Sequence, residues 1–222
     1  LIIHQLKQPG APFVYGGCVN PFDMRNMCIA YGSPEWRLTD AALSQLSQRY
    51  DLPVFGTAGC TDSKVVDEQA AIEGAYSILF TALSGTNIIH DVSYLQSGLC
   101  GAPEFTVMGN EMIGLTRRML SGIDINKETL AVDLIDKVGP GNHFTAEEHT
   151  LKHFKGQAWY PDLLDRKSRE EWEQAGSTTL KQRCQAKAKE ILAKYEVEPL
   201  QAEKVKDIQS ILQDYEKAHV KK

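Results

Sequence analysis

The sequence contains five cysteines, but no two of them form a CxxC pair. That absence argues against a zinc ribbon or a dithiol redox centre. An odd number of cysteines also does not suit a closed disulfide framework. We therefore expect reduced thiols and a cytoplasmic protein.

Long apolar runs, a signal peptide and an excess of positive charge are also missing. No run approaches the ~18 apolar residues that span a bilayer, and no charged segment followed by an apolar one opens the chain. The formal net charge of −5 argues against nucleic acid or a membrane as a partner. The chain begins with Leu1 rather than Met, which predicts a piece of a longer protein.

Three apolar runs, at 12–17, 52–57 and 87–92, end in small polar or aromatic residues, and a helical pattern follows each. Repeated strand–loop–helix units predict parallel strands with right-handed crossovers. We expect an α/β chain of the (β/α)8 TIM-barrel type, whose loops after the strands build the active face. The remaining predicted elements of this part are a short strand at 27–31 and helices at 39–50 (opened by Thr39 as N-cap), 67–84 and 103–120.

Composition changes after Gly139, and this change predicts two domains. Residues 1–140 would form the C-terminal βα units of the barrel, and residues 141–222 a helical extension that packs on the barrel or on a neighbouring subunit. Half a barrel exposes sheet edges and an apolar sheet face. We therefore expect a homo-oligomer or association with the N-terminal half of the barrel. The helices predicted in the extension are 168–175, 178–195 and 200–219, the last with an apolar stripe.

His90 is the candidate catalytic residue, because it ends an apolar strand on the expected active face. A polar group there needs a partner or a ligand, although a core histidine bonded to backbone is the alternative. Acid–base pairs of Asp62 with His90, or of Asp91 with Tyr94, also stay open. Aromatic faces attract quaternary ammonium groups, although most aromatic side chains simply fill a core. The predicted substrate-binding residues are Tyr15, Phe55, Thr61, Asp62, Tyr94 and Phe105.

A second candidate site contains the three histidines of the segment 143–153. His149 and His153 have helical i, i+4 spacing, and His143 would be the third ligand of a metal-dependent hydrolase. The spacing is not that of an HExxH motif. We predict that these three histidines hold no transition metal.

Several ordered motifs together resemble the trimethylamine methyltransferase family over nearly the whole chain. They are GAPFVYGG at 10–17, YGSPE at 31–35, FGTAGCTDSK at 55–64, GLCGAPE at 98–104, GPGNHF at 139–144, EEHTLKHF at 147–154 and SREEWE at 168–173. The resemblance implies the C-terminal half of the family's barrel. The founding trimethylamine enzymes carry a pyrrolysine near the loop after the strand 52–57. Standard residues, including Cys60, occupy that loop here.

Pyrrolysine-free members of this family are similar to glycine betaine methyltransferases, and His90 within IIHDVSY resembles those members. The resemblance implies methyl transfer from a methylated amine, the small-molecule substrate, to Co(I) of a cognate corrinoid protein. The chain itself would bind no cofactor, because that partner supplies the cobalamin. The alternatives are a non-catalytic barrel half with a structural or assembly role, and the metal-dependent hydrolase.

Overall fold

The computed structural model describes residues 1–219. In these residues the strands are β1 (Phe22–Asp23), β2 (Cys28–Ile29), β3 (Phe55–Thr57), β4 (Ile88–His90), β5 (Tyr94–Leu95) and β6 (Cys100–Gly101). The helices are α1 (Ile2–Lys7), α2 (Pro34–Arg49), α3 (Glu68–Leu83), α4 (Pro103–Leu120), α5 (Lys127–Leu130), α6 (Val132–Val138), α7 (Glu148–Gln157), α8 (Arg169–Gln174), α9 (Leu180–Lys194) and α10 (Ala202–His219).

Three chain segments run parallel and side by side. β3 pairs with β4, with Phe55 opposite Ile88. On the other edge of β3, Tyr15 forms a single parallel bridge to Val54. The predicted parallel strands are therefore confirmed over 55–57 and 88–90, although the run 12–17 contributes only that bridge. Whether these strands belong to a closed barrel stays a prediction.

Two antiparallel hairpins were not expected from the sequence. β1 pairs with β2, and β5 pairs with β6, inside the loops that follow the first and third parallel segments. Residues with left-handed backbone close both turns: Met27 has φ 55° in one hairpin, and Gly98 has φ 81° in the other. The predicted strand at 27–31 is therefore shorter than expected, and it belongs to a hairpin.

Helix α2 begins earlier than predicted. Ser33 is its N-cap and Pro34 its first residue, a position that suits the fixed φ of proline. The prediction of Thr39 as N-cap was wrong, because Thr39 lies inside the helix and its hydroxyl donates to the carbonyl of Trp36. Helix α4 has the predicted bounds, and α3 differs from its predicted bounds by one residue at each end.

The hydrophobic core lies where α3 and α4 pack together. Ala70, Phe105 and Met108 are buried there with Leu95 of β5 and with Cys184 of α9. This packing holds α3 and α4 together, next to the loops that follow β3 and β4. The two helices therefore support the carboxyl ends of those strands.

The chain divides into two compact units, Leu1–Ala188 and Lys189–Lys222. The predicted boundary at 140/141 stays a prediction. In residues 143–219 every regular element is a helix, as predicted, and the three predicted helices match α8, α9 and α10 to within two residues. Helices α5 and α6 were not predicted. Within residues 1–219, no helix combines the length and the apolar character that crossing a bilayer demands.

Candidate functional site

The side chains of Phe55 and His90 lie on the same side of the parallel strands. Their ring centroids are 5.3 Å apart, in a tilted arrangement. The opposite side of β3 faces α3, because a Cβ at Gly56 would contact Thr81 and Thr86. His90 and Phe55 therefore form a surface on the side away from the helix, next to the carboxyl end of β4.

The Phe55 ring also covers Gly16. A Cβ at Gly16 would lie only 2.3 Å from that ring, so any larger residue there would displace it. Glycine at position 16 therefore leaves the space that the Phe55 ring occupies beside His90.

Asp91 supports the imidazole of His90. Its Oδ1 atom lies 3.0 Å from Nδ1 of His90, and the His90 side chain keeps 38% of its surface exposed. Asp91 has φ 65°, a left-handed backbone that asparagine and aspartate adopt more readily than most residues. A carboxylate beside one ring nitrogen favours a proton there, so Nε2 is the atom that is available to a ligand.

The loop after β4 has a strained backbone. Several of its residues have φ in the left-handed region: Asp91 (65°), Ser93 (82°), Gln96 (48°), Ser97 (55°) and Gly98 (81°). Such conformations persist only where the surroundings hold them, and they cluster at functional sites. Here Ser93 donates from its hydroxyl to the carbonyl of Phe105 at 3.0 Å, and from its backbone N–H to Gly59 at 2.7 Å. The loop is consequently held in one shape against α4 and the neighbouring loop.

Thr61 and Asp62 lie in that neighbouring loop, at the end of β3. The Thr61 backbone N–H donates to the carbonyl of Tyr94, so the three predicted site residues come together. The Asp62 carboxylate, however, accepts hydrogen bonds from Tyr31 and Gly32 of the loop after the first segment. It contacts protein backbone on both of its oxygens.

Tyr31 belongs to the same region, although it is not among the residues that the sequence predicts for the site. A Cβ added to Gly98 would lie 3.5 Å from its hydroxyl and 3.8 Å from the Tyr94 ring. Burial raises the pKa of Tyr31, and nearby negative groups, Asp91 among them, add to the effect. The phenol therefore stays a neutral hydrogen-bond donor. Its position in the YGSPE motif, just before α2, was the available signal.

Tyr15 and Phe105 lie apart from this group. Register places Tyr15 beside Val54, and side chains alternate along a strand, so Tyr15 lies on the opposite side from Phe55. Phe105 is fully buried in the core between α3 and α4. The structure thus places Phe55 beside His90, and it places Thr61, Asp62 and Tyr94 together in the loops that follow β3 and β4. The contacts assigned to them stay predictions.

A buried ion pair supports the back of the site. Arg37 and Asp40 of α2 are each 2% exposed, with Nη1 and Oδ2 3.1 Å apart. Arg37 also donates to the carbonyl of Thr57 at the end of β3, and to the Thr81 hydroxyl of α3 at 3.1 Å. Burial raises the pKa of Asp40 to about 6, while the Arg37 charge opposes that rise. This pair was not expected from the sequence, because charged residues on a surface helix normally face water.

Cys60 lies in the loop after β3, near which the founding members of the family carry a pyrrolysine. Its thiol is 1% exposed, and burial raises its pKa to about 12. A thiolate is the nucleophilic form of cysteine, so Cys60 is packed as an inert apolar group.

The three histidines of the second candidate site do not form one cluster. The rings of His149 and His153 are 4.4 Å apart, and both Nε2 atoms contact Glu128, at 2.9 Å and 3.1 Å. Nδ1 of His143 instead lies 2.7 Å from the Thr145 hydroxyl. Among residues 1–219 no three metal-ligating side chains converge.

Comparison with known proteins agrees with the resemblance seen in the motifs. The family model described as trimethylamine methyltransferase matches residues 1–220. Trimethylamine methyltransferases of Desulfitobacterium hafniense and Methanosarcina barkeri are each 36% identical, over 97% and 98% of this chain. A glycine betaine methyltransferase of Desulfitobacterium hafniense is 35% identical over 86% of it. The chain spans less than half the length of these curated relatives, namely 43%, 44% and 40%. The chain therefore belongs to the trimethylamine methyltransferase family.

Proposed function

We propose that the protein transfers a methyl group from a quaternary or tertiary methylated amine, such as glycine betaine, to Co(I) of a separate corrinoid protein. The observation that carries this proposal is the surface of Phe55 and His90 at the carboxyl end of β4, in a chain of this family. A relative named for glycine betaine supports the betaine form of the substrate.

The chemistry suits this surface. With a quaternary ammonium substrate, the new bond to the methyl carbon would use an electron pair of Co(I), and the C–N electrons would leave with nitrogen as a neutral amine that needs no proton. A tertiary amine would leave as a neutral amine only if its nitrogen is already protonated in the bound substrate. The protein's task is to bind the substrate with one methyl group in line with the acceptor.

His90 and Phe55 would divide that task. When both ring nitrogens of His90 carry a proton, Nδ1 faces Asp91 and Nε2 can donate to a carboxylate at the polar end of the substrate. The aromatic face of Phe55 would contact the methylated nitrogen. Positive charge on nitrogen falls in the transition state, so a strong aromatic cage would favour the ground state. A hydrogen bond to the substrate carboxylate instead fixes the orientation of the substrate without stabilising the ground state over the transition state.

We also propose that the three parallel segments belong to a TIM barrel. Parallel strands with a helix after each one, and functional side chains at their carboxyl ends, are the features that support it.

The test is a spectral assay of Co(I) methylation with the protein at its full natural length, a corrinoid protein and a panel of methylated amines. His90→Ala should lower kcat/KM by roughly one to two orders of magnitude, the effect of losing one positioned hydrogen bond of ~1–3 kcal/mol. His143→Ala, a change in an exposed loop, is the matched control. Wild-type rates for His90→Ala would move His90 to a structural role. No methylation with any amine would overturn the proposed function.

A further inference from the structure

One carboxylate joins the three loops at the carboxyl ends of the parallel segments. Oδ1 of Asp62 accepts the backbone N–H of Tyr31 at 2.9 Å and the hydroxyl of Ser97 at 3.0 Å. Oδ2 accepts the backbone N–H of Gly32 at 2.9 Å. Asp62 lies in the second loop, Tyr31 and Gly32 end the first, and Ser97 belongs to the third. Three of the roughly four lone pairs of this carboxylate are thus used within the protein.

Glu73 of α3 holds the Asp62 loop from below. Its Oε2 accepts the hydroxyl of Thr61 at 2.5 Å and the backbone N–H of Asp62 at 2.8 Å. Its other oxygen, Oε1, accepts the side-chain N–H of Gln69 at 2.9 Å. The loop with the predicted substrate-binding residues is therefore tied to the helix layer by a charged group.

Close packing locks the first loop to the same carboxylate. A Cβ at Gly32 would lie 2.2 Å from Cδ of Glu73, so only glycine fits there without a shift. The hydroxyl of Tyr76, one helical turn further along α3, donates to the carbonyl of Gly32 at 2.6 Å. Both backbone polar groups of Gly32 are therefore hydrogen-bonded, the N–H to Asp62 and the carbonyl to Tyr76. Together these residues form what we call the Asp62 network: Tyr31, Gly32, Thr61, Asp62, Glu73, Tyr76 and Ser97.

Hydrogen bonds to a carboxylate are stronger than neutral ones, and partial burial increases their effect. These bonds join residues about thirty positions apart in the chain, as in the pair of Asp62 with Tyr31. Sequence-local turns do not provide such links. The Asp62 network therefore fixes the relative positions of the three loops, including the strained loop that carries Asp91.

We propose that Asp62 and Glu73 are positioning residues, which hold the loops of the active face in place and do not contact the substrate. They act through Tyr31 and through the His90–Asp91 pair. The activity arm of this proposal rests on the proposed function; its structural arm does not.

The structural arm measures amide hydrogen exchange of the chain by mass spectrometry. Asp62→Asn replaces one acceptor oxygen with a donor, so exchange in the segments 26–33 and 94–101 should accelerate about tenfold or more. Glu73→Gln should accelerate exchange in 58–67. Asp165→Asn is the matched control, because the Asp165 carboxylate accepts one backbone N–H, from Lys167 at 2.8 Å, in an exposed loop.

Two further variants keep the test decisive if Asp62→Asn loosens the whole chain. Ser97→Ala removes the hydroxyl contacts with Asp62 and with the carbonyl of Ile29, each at 3.0 Å. Exchange should therefore rise most in 94–101 and less in 26–33, where Tyr31 and Gly32 keep their hydrogen bonds to Asp62. Thr61→Val removes the hydroxyl bond to Glu73, and Thr61→Ser should restore protection of that loop. Unchanged exchange in both Ser97→Ala and Thr61→Val would overturn the proposal.

The activity arm uses the methylation assay with glycine betaine. Misplaced loops still bind the substrate but lose the aligned geometry, so Asp62→Asn should lower kcat about tenfold with little change in KM. Loss of betaine binding by Asp62→Asn with normal loop exchange would instead show a direct substrate contact and overturn the proposal. Absence of turnover in the wild-type protein would count against the proposed function, while the exchange data would still decide the role of Asp62.

Discussion

Residues 34–116 and residues 121–157 of this chain are stabilised in different ways. The first region contains every buried polar side chain in the described part of the chain, from Arg37 to Thr116. The second region has helices α5, α6 and α7, in which no residue is buried. It has instead exposed ion pairs, such as Lys152 with Glu128.

The difference between the two regions indicates which interactions fix a single loop arrangement in this protein. A buried polar group needs a partner at a definite place, since leaving it unpaired is costly. The first region therefore fixes the loops around His90 in one arrangement. Exposed ion pairs contribute little to stability and are screened by salt. We expect changes in the two regions to differ in size and in their dependence on pH and salt.

The largest effect is expected from Arg37→Met. Removing one partner of a buried ion pair leaves an uncompensated charge, here on Asp40, and typically costs about 3–5 kcal/mol. The hydrogen bonds of Arg37 to Thr57 and Thr81 are lost as well. The free energy of unfolding in urea measures the loss. Arg49→Met, an exposed change in the same helix, should stay within about 0.5 kcal/mol.

The stability loss of Arg37→Met should also depend on pH. Burial raises the pKa of Asp40 to about 6, above its ordinary value. A raised folded-state pKa means that the neutral form stabilises the fold at low pH, and that this contribution is lost as pH rises through 6. Without Arg37 the ionised carboxylate has no opposing charge. Arg37→Met should therefore destabilise more at pH 8 than at pH 5, and an equal loss at both would contradict the buried pair.

A glycine in each region gives the next test. Gly59 has φ 77°, and a Cβ there would lie 3.1 Å from Cα of Val92. Gly122 has φ 67°, and a Cβ there would meet nothing within 4 Å. Gly59→Ala should cost about 2–4 kcal/mol, from left-handed strain plus overlap with the Val92 backbone. Gly122→Ala should cost only about 1–2 kcal/mol. If thermal unfolding shows that Gly59→Ala and Gly122→Ala lose equal stability, the close approach of Gly59 to the Val92 backbone does not contribute to the cost.

The two regions also differ in what the sequence could predict. Helix α4 was predicted with its observed bounds, because Pro103 suits a first helical position and the apolar pattern that follows is regular. Helices α5 and α6 were missed, since they are only four and seven residues long and bury nothing. Helix α5 instead begins with a capping box of Asn126 and Thr129, which is a local signal.

The arrangement of the candidate site could be predicted only in part, and the contacts that were not expected have a common cause. His90, Phe55 and the loop after β3 were identified because polar or aromatic residues end an apolar run. Phe105 was predicted as a site residue because residue type does not tell which side of a helix is buried. The partners of Arg37 and Asp62 lie 20 and about 30 residues away in the chain. No periodic pattern encodes such long-range hydrogen bonds.

The smallest effect is expected from Glu128→Gln, in the exposed region. Hydrogen bonds from Lys152 and His153 lower the pKa of Glu128. A lowered folded-state pKa contributes stability at neutral pH, and this contribution is lost as pH falls through the folded-state value. Glu128→Gln should therefore accelerate amide exchange only in α5 and α7, and about 0.5 M salt should produce much of the same change in the wild-type chain. Glu170→Gln, in α8, is the control. Acceleration in α3 would show that the two regions are coupled, and would break the distinction between them.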